Sequence, residues 1–147
     1  MKWVRFVFAI LVCQFAGYLG SLFTTPNLEW YATLVRPGFA PVDWVFGVVW
    51  TSLFVLMGIS LFLVWDDEKL RYLFYFQLGL NILWSIFFFG LHNPFLAFIE
   101  LILLWAFILM CVVMFFRKSK WAGGLMIPYF LWVTFAGVLN FFFVFLN

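Results

Sequence analysis

The residues of this 147-residue chain best suited to bind a ligand are tryptophans that share helical faces with side-chain amides. Asn81 and Trp84 are three residues apart and Trp132 and Asn140 are eight apart, so each pair falls on one face of an α-helix. Indole rings supply flat stacking surfaces, and amides supply a few hydrogen-bonding groups, as in many small-molecule pockets. We therefore expect a pocket walled by Trp50, Trp84 and Trp132.

Residues for conventional hydrolytic or metal chemistry are missing. His92 is the single histidine, and Cys13 and Cys111 form no CxxC motif, so neither a catalytic triad nor a Cys/His metal site can be assembled. The adjacent carboxylates of residues 66–68 fit a solvated turn that caps the following helix. We expect no metal site and no required cofactor.

The composition places the chain in a membrane. Hydrophobic residues make up 68% of it, aromatic residues 26% and charged residues 10%, whereas a soluble domain is about half apolar and a quarter charged. A soluble fold and a disordered chain are both excluded. The net charge of +2 also excludes an electrostatic nucleic-acid binder. The remaining class is an integral, multi-pass protein whose first partner is the lipid bilayer.

Long uncharged runs define the membrane spans. A spanning helix needs about 20 apolar residues, and Pro94 ends a helix within the longest run because proline cannot continue the hydrogen-bond ladder. The runs are continuous rather than alternating, which argues against a β-barrel. We predict an all-α fold, a single domain over residues 1–147, and five transmembrane helices at about 4–25, 44–65, 72–91, 95–116 and 121–145.

Polar and aromatic residues recur at helical spacing in four of these spans. The faces they form are Gln14, Gly17, Tyr18 and Ser21; Gly47, Trp50, Phe54 and Met57; Gln77, Asn81, Trp84 and Phe88; and Tyr129, Trp132, Ala136 and Asn140. Amides also join helices within membranes, so each amide taken alone fits a packing contact as well as a ligand contact. The three deep tryptophans favour the pocket.

The basic residues predict the orientation. Only Arg36 lies on one side of the predicted bundle, and the other side carries Lys2, Arg5, Lys69, Arg71, Arg117, Lys118 and Lys120. Cytoplasmic loops are enriched in Lys and Arg, so we expect the N-terminus in the cytoplasm. The basic start also fits a signal peptide, but no small-x-small cleavage site follows it.

The one long connection, residues 26–43, is too apolar for a free loop. It carries Trp30, Tyr31, Leu34 and Phe39. We predict a short helix over 28–35 with Asn27 as its N-cap, followed by a stiff return through prolines, so that the segment covers the bundle mouth as a lid. An amphipathic helix on the lipid surface is the alternative.

Glu100 lies about five residues into the fourth predicted span. A carboxylate inside a membrane is a functional candidate, here as the proton-coupling group of a small exporter. Proximity to a helix start also stabilises a carboxylate through the helix dipole. Both interpretations remain open at this point.

Several motifs resemble the signature of the TspO/translocator-protein family, whose bacterial members are called tryptophan-rich sensory proteins. They follow one another along nearly the whole chain: Trp30-Tyr31-x-x-Leu34-x-x-Pro37-x-Phe39-x-Pro41-x-x-Trp44, Val49-Trp50-Thr51, Met57-Gly58, Asn81-x-x-Trp84-Ser85, Phe88-Phe89-Gly90 and Pro128-Tyr129-x-x-Trp132-x-x-Phe135-Ala136-x-x-Leu139-Asn140.

The resemblance implies a five-helix bundle in a bacterial cell membrane, commonly a homodimer, that binds porphyrins such as protoporphyrin IX and other hydrophobic small molecules. The implied function is that of a receptor or sensor, with a part in tetrapyrrole transport or regulation. The alternative is a light- and oxygen-dependent porphyrin-degrading enzyme in which Trp50 and Trp132 are catalytic. Carried onto this sequence, the ligand-binding residues are Trp30, Tyr31, Pro41, Trp50, Phe54, Asn81, Trp84, Phe88, Trp132 and Ala136.

Two departures limit what the resemblance implies. The cholesterol motif of animal members ends in a tyrosine and a basic residue, and neither follows Val138 and Leu139 here. The glycine pair proposed for dimer contacts in the family corresponds to Tyr72 and Phe76. Cholesterol recognition through that motif is not expected, and a dimer would need other contacts.

Overall fold

All of the regular secondary structure in the chain is helical. A computed structural model describes residues 1–147, and five of its helices are long and apolar enough to cross a membrane. The helices are α1 (Lys2–Thr24), α2 (Leu28–Ala32), α3 (Asp43–Leu63), α4 (Glu68–Ser85), α5 (Pro94–Lys118) and α6 (Lys120–Leu146). Every helix except the short α2 can span the bilayer, so the predicted all-α bundle of five transmembrane helices is confirmed.

The helices run further into the charged connections than the apolar runs suggested. α4 begins at Glu68 rather than near residue 72, because the Asp67 carboxylate accepts a hydrogen bond from the Leu70 backbone N–H at 3.2 Å and caps the helix. Between α5 and α6 only Ser119 is non-helical, and its hydroxyl accepts from the Ala122 N–H at 3.3 Å. Polar caps, rather than the loss of apolar character, set these boundaries.

The five spanning helices form a closed ring in the order α1, α3, α6, α5, α4. α4, α5 and α6 pack in chain order as antiparallel neighbours joined by short connections. α3 and α4 are also joined by a short turn, but α1 lies between them in the ring. The Arg5–Asp66 ion pair, 2.9 Å long, joins the start of α1 to the α3–α4 turn at one end of the ring. Both side chains are exposed, so the ion pair adds little to stability; it shows that the start of α1 and the α3–α4 turn lie at the same end of the ring.

A glycine allows α1 and α3 to cross closely. A Cβ atom built on Gly58 would lie 2.6 Å from the Cα and 3.0 Å from the backbone nitrogen of Ile10. Backbone atoms cannot move aside as a flexible side chain can, so only glycine fits this position. Small residues commonly let membrane helices approach in this way.

The last turn of α4 widens into a π-helical segment, Ile86–Gly90, before the chain turns back into α5. The Leu91 N–H bonds to the Ile86 carbonyl at 2.8 Å, across five residues. The wider turn buries both Phe88 and Phe89 although they are consecutive. Such segments often lie at functional sites. His92 then adopts a positive φ of 50°, which reverses the chain.

The connection between α1 and α3, residues 25–42, is here called the lid. The Asn27 side chain does not cap α2 as predicted. Its Nδ2 donates back to the Phe23 carbonyl at 2.6 Å, and its Oδ1 lies 2.7 Å from His92 Nε2. The His92 ring stacks flat on Trp30, with centroids 4.3 Å apart and planes 4° apart. A long-range contact to the α4–α5 turn therefore replaces the local cap.

The second half of the lid is held by α6. Asn147 Oδ1 accepts from the Val35 N–H at 2.9 Å, and Asn147 Nδ2 donates to the Val35 carbonyl at 3.0 Å. Arg36 forms an ion pair with Asp43 at 2.8 Å and lies over the Tyr31 ring, 4.4 Å from its centroid. The lid is therefore fastened to the α4–α5 turn and to the end of α6, and not only to the two helices that it connects.

Gly58→Ala should destabilise the bundle by about 1–3 kcal/mol, because the added methyl group forces α1 and α3 apart. Gly79→Ala is the matched control. A Cβ atom at position 79 meets nothing within 4 Å, and the substitution brings the same gain in helix propensity as Gly58→Ala. Thermal unfolding in detergent measures both. A Gly58→Ala midpoint equal to or above that of Gly79→Ala would show that the crossing tolerates the methyl group.

Candidate functional site

A cavity of about 530 Å³ lies inside the ring and under the lid. Every spanning helix contributes to its wall, and the lid adds Leu28 and Tyr31. The lining is mostly apolar, and the volume falls within the range of small-molecule sites. Tyr18, Gly47 and Thr51 line the cavity while remaining exposed at the outer surface of α1 and α3. The cavity therefore reaches the lipid-facing surface between these two helices.

Two stacked Trp–Phe pairs form separate parts of the wall. The Trp50 and Phe54 rings in α3 have centroids 5.6 Å apart and planes 29° apart, and those of Trp84 and Phe88 are 5.0 Å and 22° apart. Each pair is separated by four residues, so the helix itself brings the rings together. Parallel flat rings provide the surface on which another planar π-system stacks.

The third tryptophan of the wall, Trp132 in α6, has an unpartnered donor. Its ring contacts Phe46 and Phe135, with centroids 5.8 Å and 5.4 Å away. Its Nε1–H is buried without a hydrogen-bond partner. A buried donor left in this state costs about 1–3 kcal/mol.

The Asn140 amide uses both of its polar atoms to hold helices together. Trp84 Nε1 donates to Asn140 Oδ1 at 3.0 Å, and Asn140 Nδ2 donates to the Pro94 carbonyl at 2.9 Å. The contact links α4, α6 and the first residue of α5. It also fixes the plane of the Trp84 indole, which lines the cavity.

A second amide begins a polar chain that runs from the cavity into the core. Asn81 lines the cavity and donates from Nδ2 to the Tyr129 hydroxyl at 2.9 Å, and that hydroxyl donates to Gln77 Oε1 at 2.8 Å. Tyr129 and Gln77 are completely buried. Polar groups inside a bilayer are costly unless paired. These two hydrogen bonds therefore explain why the three polar side chains occur next to one another.

Eight of the ten predicted ligand-binding residues line the cavity: Tyr31, Trp50, Phe54, Asn81, Trp84, Phe88, Trp132 and Ala136. Trp30 and Pro41 do not. Trp30 lies behind the wall, against Phe88 at 5.7 Å between ring centroids, and Pro41 lies half-buried in the return of the lid. Trp50 and Trp132, the predicted catalytic pair, face the same cavity. Whether these residues bind or react stays a prediction.

Sequence reasoning missed several aromatic side chains that complete the wall. Phe46 lies one turn before Trp50 on α3, and Phe143 lies one turn after Asn140 on α6. Extending the predicted faces by a turn in each direction would have found both. Phe89 could not have been found in this way, because only the π-helical turn brings it inward beside Phe88.

Glu100 lies outside the cavity wall. Its side chain is 6% exposed, and both carboxylate oxygens are without a hydrogen-bond partner. No cluster of three His, Cys, Asp or Glu side chains could hold a metal ion. The chemistry that the cavity itself offers is stacking, together with hydrogen bonding by Asn81.

Comparisons with known proteins place this architecture in a family. The sequence model of the TspO/MBR family matches residues 9–146. Tryptophan-rich protein TspO of Archaeoglobus fulgidus is 39% identical over 100% of this chain and 99% of its own length. The tryptophan-rich sensory protein of Cereibacter sphaeroides is 35% identical, covering 96% and 90%, and the translocator protein of Homo sapiens is 32% identical, covering 95% and 88%. These matches confirm the resemblance read from the motifs: the chain belongs to the TspO/MBR family.

Proposed function

We propose that this membrane protein is a receptor or sensor that binds porphyrins, such as protoporphyrin IX, and other flat hydrophobic molecules in the cavity under the lid. The observation that carries the proposal is the presence of two stacked Trp–Phe pairs, one on α3 and one on α4 and the turn after it, in the wall of one apolar cavity. A planar macrocycle gains most from such walls, because stacking and burial of its faces act together.

The Asn81 amide supports the same proposal. Asn81 lines the cavity and its Nδ2 is already bonded to Tyr129, so a donor on the ligand would complete the hydrogen bonding of its Oδ1. The relatives named as sensory and translocator proteins are consistent with a role in sensing or moving a ligand. The gap between α1 and α3 gives a hydrophobic ligand a direct path from the bilayer.

Protoporphyrin IX should quench the intrinsic tryptophan fluorescence of the purified protein saturably. Trp50→Ala and Trp132→Ala should each weaken binding roughly 2- to 10-fold, because each removes a stacking surface worth about 0.5–1.5 kcal/mol. Trp121→Ala is the control, since Trp121 is 77% exposed and lies outside the cavity. Binding undiminished in the double variant Trp50→Ala/Trp132→Ala would place the site elsewhere.

A second candidate function, light- and oxygen-dependent degradation of porphyrin, follows from the presence of Trp50 and Trp132 in one cavity. Under illumination in air, the Soret band of bound protoporphyrin IX should then decay faster with the native protein than with Trp50→Phe/Trp132→Phe. The phenylalanines keep an apolar ring at each position while removing the more readily oxidised indoles. Equal decay rates at equal occupancy by protoporphyrin IX would exclude the enzymatic function and leave the receptor function.

We also propose that the N-terminus is cytoplasmic and that the lid faces the other side. Seven basic residues cluster at the end of the ring where Arg5 meets Asp66. A reporter that is active only outside the cytoplasm should be active when inserted in the lid at Gly38 and inactive when inserted at Ser119. The reverse pattern would invert the assignment.

A further inference from the structure

The polar chain behind Asn81 has no fixed direction. As it stands, Asn81 Nδ2 donates to the Tyr129 hydroxyl and Tyr129 donates to Gln77 Oε1. Gln77 Nε2, on the far side of its amide, has no hydrogen-bond partner. Nothing polar beyond Gln77 therefore determines which amide atom faces Tyr129.

The reverse chain contains the same number of hydrogen bonds. If both amides turn over, Gln77 Nε2 donates to Tyr129, and Tyr129 donates to Asn81 Oδ1. A phenol hydroxyl both donates and accepts, and an amide offers a donor on one side and an acceptor on the other. The two directions differ in what Asn81 presents to the cavity: a carbonyl oxygen in the first case and an amino group in the second.

Asn140 shows the contrasting case. Its Nδ2 bonds to the Pro94 backbone carbonyl, which can only accept, and its Oδ1 bonds to the Trp84 indole N–H, which can only donate. Its amide therefore has one possible orientation. Of the two amides that α4 and α6 present to the cavity, one is fixed in polarity and the other is not.

From this contrast we infer that Asn81 is a reversible polar anchor, with Tyr129 and Gln77 as the positioning residues that allow it to turn. The cavity would then accept flat aromatic ligands that carry either a hydrogen-bond donor or an acceptor opposite Asn81, without a change in backbone. This inference rests on the proposed function, because it specifies which ligands the same cavity selects.

Gln77→Leu tests the inference because it fixes the direction. With no acceptor left at position 77, the Tyr129 hydroxyl can donate only to Asn81 Oδ1, and Asn81 then presents only its amino group. The substitution also replaces a buried, partly unpaired amide by an apolar side chain of similar size, so the unfolding midpoint should stay near the native value.

The probes are carbazole and 9-fluorenone, two planar tricyclic molecules of similar size. Carbazole carries an N–H donor, and fluorenone carries a carbonyl acceptor. Isothermal titration calorimetry in detergent gives the ratio of their affinities, and partition into micelles cancels when this ratio is compared between variants. Gln77→Leu should shift the ratio about 3- to 10-fold in favour of fluorenone, the worth of one hydrogen bond.

Two further variants separate a change in the direction of these hydrogen bonds from the simple loss of a contact. Tyr129→Phe removes the hydroxyl, leaves the Asn81 amide free to turn, and should keep the ratio within about twofold of native. Asn81→Leu removes the anchor and should weaken both probes together. A shift in Tyr129→Phe equal to that in Gln77→Leu would overturn the assignment of direction to position 77.

The outcomes distinguish this inference from the function on which it rests. An unchanged ratio in Gln77→Leu, with protoporphyrin IX still bound, would overturn the reversible anchor and leave the receptor standing. Unchanged binding of both probes by Asn81→Leu would exclude Asn81 as an anchor. If the native protein binds neither the probes nor protoporphyrin IX, the proposed function fails, and the inference fails with it.

Discussion

Hydrocarbon offers no hydrogen bonds, so every polar group in the spans must find its partner within the chain. This constraint produces the helices, and it also governs their side chains. Ser52 returns its hydroxyl to the Val48 carbonyl of its own helix, and Ser60 bonds across to the Ala122 carbonyl of α6. Once these pairs are counted, the few buried groups left unpaired stand out, and Gln77 Nε2 and Trp132 Nε1 lie beside or one step behind the cavity wall.

The same constraint explains how a site without charged residues in its deep wall can be selective. Apolar walls favour any hydrophobic molecule that fits, whereas a polar atom that faces the cavity, as in Asn81, favours ligands that can hydrogen-bond to it. The stacked Trp–Phe pairs add a preference for flat shapes, since a planar π-system can stack on their rings. Shape and a small number of polar atoms therefore act together.

Much of this arrangement was predictable because it depends on helical spacing alone. The faces carrying Trp50 and Phe54, or Trp84 and Phe88, follow from residues three and four apart, and they do face the cavity. Long-range contacts were not predictable in this way. The Asn27 side chain bonds to His92 rather than capping its own helix, and nothing in the local sequence distinguishes these two states. Trp30 likewise resembled a ligand contact by its motif, but the His92 ring takes one of its faces.

The fastening of the lid has a consequence for how the protein is made. The hydrogen bonds between Val35 and Asn147 join residues 112 positions apart. At a synthesis rate of about 5–20 residues per second, the ribosome finishes the lid roughly 5 to 20 seconds before it reaches Asn147. Phe88 and Phe89, which cover Trp30, follow the lid by roughly 2 to 9 seconds, and Phe143, which covers Tyr31, is added only near the end of the interval. The nascent chain therefore keeps an open, aromatic surface at the membrane until translation reaches the end of α6.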